Sequence, residues 1–247
     1  MTPDIVEAVA TAVTVFIGSV VLGTVGFGMG ISTTPFLLLV LEPKTIVVVV
    51  NSVSIILFVL VIAKNRSHLQ VREIAPISAA GVAGVPVAVY ALDEVGTGAL
   101  RIGIALLILA LTALTASNVR GRLPPGGVLG LVVGFVGSVL INTTGIGGPL
   151  IVLYGLSRGW SRNAVRASAS LYFLAIEGAG VAGYFFVGLM TKERATLVLI
   201  AAPPLVIGFW LATNLVGRMN EAVFRRAVLS VITVACVVVL VRELAPI

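Results

Sequence analysis

Apolar stretches of about 20 residues, long enough to cross a bilayer as helices, recur along nearly the whole chain. They lie near 5–23, 44–63, 73–92, 98–117, 127–142, 163–188, 195–215 and 222–241, with only short charged segments between them. With 59% of 247 residues hydrophobic and 11% charged, the apolar surface exceeds what a soluble core of this size can hide. The chain reads as an all-α, multi-pass integral membrane protein. Its opening, MTPDIVEAVA, is acidic, so no cleavable leader is expected.

Several function classes drop out at once. The single cysteine, Cys236, and the single histidine, His68, cannot build a disulfide framework or a His/Cys metal cluster of normal ligand number. No metal and no cofactor is expected. The net charge of +6 sits in short clusters between apolar spans without aromatic interleaving. That is the pattern of positive loops facing the cytoplasm, and it excludes nucleic acid as a partner. Paired carboxylates inside the spans are also lacking, so an embedded enzyme is not expected.

Two short segments interrupt the regular pattern. GMGISTTP (28–35) and TTGIGGP (143–149) place glycine clusters and a proline within apolar sequence. Each precedes an apolar piece too short to cross alone, STTPFLLLVL (32–41) and PLIVLYGL (149–156). Glycine and proline break the intrahelical hydrogen-bond ladder, and lipid cannot satisfy the freed groups. Such breaks survive only where protein or a watery cavity covers them. Both pieces therefore read as the returning arms of hairpins.

The lysines and arginines discriminate between topologies. Eight plain spans with the N-terminus inside leave 8 of the 16 basic residues on each side, which carries no orientation signal. If the first and fifth segments are hairpins and the N-terminus is outside, 11 basic residues fall inside and 5 outside. The inside set then includes Lys64, Arg66, Arg72, Arg158, Arg162 and Arg166, while Asp4, Glu7, Asp93 and Glu94 lie outside. Each half then holds one hairpin and three full spans, an odd number, so the halves run in opposite senses. The expected architecture is two inverted-topology repeats, 1–120 and 121–247, each a broken re-entrant-type hairpin plus three transmembrane helices. GALRIGIALLILALTAL (98–114) aligns with AVFRRAVLSVITVACVV (222–238) at an offset of 124, and the breaks align at 114 through Pro35 and Pro149.

Inverted repeats with broken helices are a recurring build of secondary transporters, whose substrate lies near the midplane between the repeats. A helix start presents unpaired N–H groups and the positive end of the macrodipole, which suits an anion. Candidate binding residues at the first break are Gly28, Gly30, Ser32, Thr33, Thr34 and Pro35. At the second they are Asn142, Thr143, Thr144, Gly145, Gly147, Gly148 and Pro149. The competing account is packing glycines and N-capping threonines with no ligand. In the spans that follow, NSVS (51–54) and RASASLYF (166–173) supply Asn51, Ser52 and Ser168 as pocket lining, with Ser54 and Ser170 read as helix-to-helix ties. Arg166 either snorkels to headgroups or faces a cavity as a countercharge.

Glu177 is the one carboxylate deep within a span, and an intramembrane acid is by default a functional candidate. It is the expected coupling residue, able to carry a proton beside the substrate, against the alternative of a structural glutamate bonded to a neighbouring helix. Trp160, Trp210, Tyr90 and Tyr184 are expected in interfacial belts, His68 in a solvated loop, and Cys236 as a small core residue.

On GFGMGISTTPFLLLV with NSVSIILF, and on NTTGIGGPLIVLYGLSRGWSRNAVRASASLYF, the chain resembles the TauE/SafE sulfite exporter family over essentially its whole length. The resemblance implies secondary transport of small, often sulfur-containing anions such as sulfite or organosulfonates across the bacterial inner membrane. Its carry-over reaches Gly28, Gly30, Pro35, Asn51 and Ser52 in the first half. In the second half it reaches Gly145, Gly147, Gly148, Pro149, Arg166 and Ser168. The first break departs from a fuller glycine run at Met29, Ile31 and Ser32. The expected partners are a small anionic substrate, the lipid bilayer and, for assembly, a second copy in a homodimer. A passive anion channel is the rival to a transporter.

Overall fold

The computed structural model describes residues 3–25, 28–116, 127–214 and 241. Nine α-helices lie among them: α1 Ile5–Val25, α2 Met29–Leu37, α3 Pro43–Asn65, α4 Val71–Glu94, α5 Thr97–Ala116, α6 Gly127–Thr144, α7 Gly148–Ser157, α8 Arg162–Phe186 and α9 Lys192–Asn214. Six of these, α1, α3, α4, α6, α8 and α9, are long and apolar enough to cross a membrane. The expected last span, 222–241, falls outside the described residues except at 241, and so do Cys236 and the 98–114 to 222–238 alignment in its second member.

The centre of the bundle is α3 against α8. Val47, Val48, Val49 and Val50 are all buried, so this turn of α3 is enclosed on every side, the mark of an interior helix. Around this pair, α4 packs on α6 and α8, and α1 packs on α9. Glycines set the closeness of these contacts. Gly134 of α6 leaves room only for the Ile77 carbonyl of α4, and Gly208 of α9 only for Ser19 Oγ and Phe16 O of α1. Small residues of this kind let helix backbones approach where lipid supplies no hydrophobic driving force.

Both short helices fold back along their predecessors. Gly18 of α1 faces Met29 and Thr33 of α2, while in the second half Gly137 faces Gly147 and Gly130 faces Tyr154. In each pair the residue numbers straddle the break, as in an antiparallel hairpin. Contacts at the two ends of the bundle agree with that path. At one end Arg158 pairs with Glu73 at 3.1 Å, and Gln70 N–H donates to Ser168 Oγ at 2.9 Å. At the other, Lys44 donates to the Asp93 carbonyl and Arg194 Nε donates to Thr45 Oγ1 at 3.0 Å. Eight plain spans would place Arg158 and Glu73 on opposite sides. The starts of α3 and α8 thus lie at opposite ends.

This arrangement has a direct readout. Single cysteines at Ser67 and Arg158 are expected to react with a membrane-impermeant reagent from one face, the cytoplasmic one by the basic-residue count. A cysteine at Glu94 is expected to react only from the other. Labelling of Ser67→Cys and Arg158→Cys from different faces would defeat the hairpin path.

Candidate functional site

The two breaks meet. α2 starts after Gly28, whose φ of 96° is the left-handed conformation that glycine adopts without strain. Gly145, with φ 74°, turns the chain out of α6 in the same way. Gly30 lies directly against the Gly145 carbonyl, so that any β-carbon there would overlap it. The first backbone bond at the start of α2 runs from Ser32 N–H to Gly28 O at 3.0 Å. The N–H groups of Met29, Gly30 and Ile31 therefore have no acceptor within the helix. α7 begins similarly, with Gly147 before it and Pro149 in its first turn.

Around this junction lies a cavity with about 430 Å³ of empty volume, counting its mouth. Gly28, Gly30, Gly145, Gly147, Gly148 and Pro149 line it, and so do Asn51 and Glu177. The apolar part of the wall includes Leu22, Phe58, Ile141 and Phe173, the two phenylalanine rings 5.2 Å apart. Adding 119 to Leu22, Gly28, Gly30, Ser54 and Phe58 gives Ile141, Gly147, Pro149, Phe173 and Glu177, and all ten line the cavity. The same offset relates the first residues of α3 and α8, Pro43 and Arg162. The alignment through Pro35 and Pro149 is thereby corrected: Pro35 is the seventh residue of α2 and Pro149 the second of α7.

Several candidate residues take local roles off the cavity wall. Ser32 Oγ donates to Gly28 O at 2.8 Å and Thr33 Oγ1 to Met29 O at 2.6 Å. Both hydroxyls are folded back on their own helix. Thr34 is fully buried, and its Oγ1, 3.5 Å from where a Gly145 β-carbon would stand, has no hydrogen-bond partner. Thr143 Oγ1 reaches Ala88 O of α4 at 3.4 Å. Thr144 Oγ1 accepts from Ile146 N–H at 3.2 Å and so braces the turn. Ser168 serves the start of α4 through Gln70, as above. Arg166 is not on the cavity wall: its guanidinium donates to Gly23 O at 3.0 Å, near the end of α1.

The helical period sorts the serines. Asn51, Ser54 and Phe58 share the cavity face of α3, being three and four residues apart. Ser52, one position on from Asn51, bonds back to Val48 O at 2.6 Å. Ser54 bonds Val50 O at 2.7 Å and approaches Met29 Sδ at 3.2 Å, so it both ties α3 to α2 and lines the cavity.

Behind the wall runs a buried polar network joining α3, α6 and α8. Asn51 Nδ2 donates to Ile141 O at 3.2 Å and to Tyr184 Oη at 3.1 Å. Tyr184 O–H donates to Asn142 O at 2.9 Å, and Asn142 Nδ2 donates to Ser138 O at 3.1 Å. Tyr184 is fully buried, which corrects its expected place in an interfacial belt. Proximity to a span end in sequence misleads here because α8 is a central helix on which only one face could meet lipid. Tyr90 and Trp210 are 68% and 60% exposed, as a belt requires.

Glu177 differs from every other polar group on the wall. It is 5% exposed, and its Oε2 has no hydrogen-bond partner. Among the described residues, no lysine, arginine or histidine lines the cavity with it.

Two broken hairpins closing on a cavity that holds Asn51, Ser54 and Glu177 on a largely apolar wall, inside a bundle of membrane-length helices, define a multi-pass membrane protein of the kind in which transport sites are found. The family model described as Sulfite exporter TauE/SafE matches residues 10–239, and the chain belongs to that family. Membership implies membrane transport of sulfite or a related anion, and the family's members are permeases, not enzymes. No curated protein and no solved structure gives a significant match to the chain.

Proposed function

We propose that the protein is a secondary transporter that moves a small anion, a sulfur oxyanion or organosulfonate of the sulfite type, across a bacterial inner membrane by alternating access. The observation that carries this reading is the cavity at the meeting of the two breaks. It is walled by helix starts from both halves, and its lining repeats at an offset of 119. Residues 1–120 and 121–247 would then be the two inverted repeats, since α3 and α8 hold equivalent places and begin at opposite ends. The starts of α2 and α7 point donors and partial positive charge at the bound anion, while Asn51 and Ser54 add short polar side chains. Thr34, with its unpaired hydroxyl beside Gly145, becomes available to the anion or the backbone when the hairpins shift.

Glu177 is the proposed coupling residue, because it is a buried carboxyl without a partner on the cavity wall. In proteoliposomes, an imposed pH gradient is expected to drive sulfite above its equilibrium concentration. Glu177→Gln is expected to lower that accumulation by about tenfold or more, equivalent to about 1.4 kcal/mol, while leaving downhill exchange measurable. Flux that only equilibrates sulfite, with or without the gradient, would identify a passive channel and leave Glu177 structural.

A further inference from the structure

Among the described residues, no side chain with a full positive charge lines the cavity proposed above for the anion. Each helix start contributes about half an elementary charge, so α2 and α7 together offer about +1 to whatever lies between them. The Arg166 guanidinium of α8 is not on the cavity wall and donates to Gly23 O at 3.0 Å. Among the described residues, the only ionisable side chain on the wall is acidic, and its Oε2 is unpaired. The other titratable groups near Glu177 are the Tyr172 and Tyr184 phenols of the same helix. They are occupied with Gly134 O at 2.6 Å and Asn142 O at 2.9 Å. From α1, α2, α3, α6 and α7, no charged side chain faces it across the cavity, and the charged residues of α4 lie at its two ends.

Given the transport reading above, on which this rests, we propose that the site selects its anion by charge. It accepts a singly charged, compact oxyanion, and it does so while the Glu177 carboxyl holds a proton. The physical reason is a local balance. Two helix starts match one negative charge. A second charge, whether on the ligand or on an ionised Glu177, would sit desolvated without a countercharge, and such burial is strongly unfavourable. A protonated carboxyl reverses the effect, because it donates a hydrogen bond to the anion's oxygen instead of repelling it. Hydrogen sulfite and sulfonates meet this requirement, and the sulfite and sulfate dianions do not.

Methanesulfonate and sulfate separate the cases, being near-isosteric tetrahedral anions that differ by one charge. For purified protein in nanodiscs at mildly acidic pH, methanesulfonate is expected to bind at least about tenfold more tightly than sulfate, or about 1.4 kcal/mol. Its binding is expected to weaken as the pH is raised, because an ionised Glu177 opposes the anion. Glu177→Gln, whose amide donates at any pH, is expected to bind methanesulfonate with the same affinity at the acidic and the raised pH. Sulfate binding as tightly as methanesulfonate would overturn the charge selection, and so would methanesulfonate binding that is unchanged by pH in the wild type. Failure of methanesulfonate, hydrogen sulfite and sulfate alike to bind would overturn the anion-transport reading itself, and the selection with it.

Discussion

Gly30→Ala is expected to abolish anion binding and to destabilise the folded protein, by about 3 kcal/mol, the upper end of ordinary overpacking. The added β-carbon would fall on the Gly145 carbonyl oxygen. A flexible side chain could swing aside, but this neighbour is backbone, held by the Gly145 N–H bond to Ile141 O at 2.8 Å. Relief must come from separating the two breaks, which opens the cavity that they close. Thermal unfolding in detergent, read beside methanesulfonate binding, tests this directly. Gly103→Ala serves as the comparison, since a β-carbon there meets nothing within 4 Å. A Gly30→Ala protein that binds and melts like the wild type would show that the breaks do not meet as described.

Gly134→Val is the second large effect expected, and it acts on the frame. A β-carbon at Gly134 would overlap the Ile77 carbonyl and lie 2.9 Å from the Ile77 Cγ2. Valine adds two methyls to that overlap on a helix whose contact with α4 depends on close approach. The expected outcome is a loss of about 2–3 kcal/mol together with loosening of α6. The Tyr172 O–H bond to Gly134 O at 2.6 Å should be lost with it. Gly178→Ala should move the other way or not at all. That glycine has open space around it, and alanine is favoured over glycine inside a helix by about 1 kcal/mol. Equal melting of the two variants would refute a glycine-set contact between α4 and α6.

The hairpins were legible in the chain because their signals are local. GMGIS and TGIGGP interrupt apolar sequence with residues that end helices, and STTPFLLLVL and PLIVLYGL are too short to cross. The basic residues then chose between two topologies, since eleven of sixteen on one face is an asymmetry that plain spans do not produce. Glycines at the breaks and Asn51 on the cavity wall follow from the same reading. Ser54 and Phe58 could have been added from helical spacing alone, being three and seven residues beyond Asn51.

Other placements depend on contacts between residues far apart in sequence. Arg166 finds Gly23, 143 residues away; Ser168 finds Gln70, 98 residues away; Tyr184 finds Asn142 and Asn51. No window of sequence contains these pairs, and a hydroxyl in a helix has the same local signature whether it bonds its own carbonyl, as Thr33 does, or faces a ligand. By itself the sequence determined that this chain is a membrane-embedded helical protein with two broken hairpins, because helix length and the lack of water in lipid leave few alternatives. Only the tertiary structure decided that the breaks touch at Gly30 and Gly145, and that Glu177 stands unpaired on the wall between them. Those are matters of which backbone fills which space, and only the packed helices settle that.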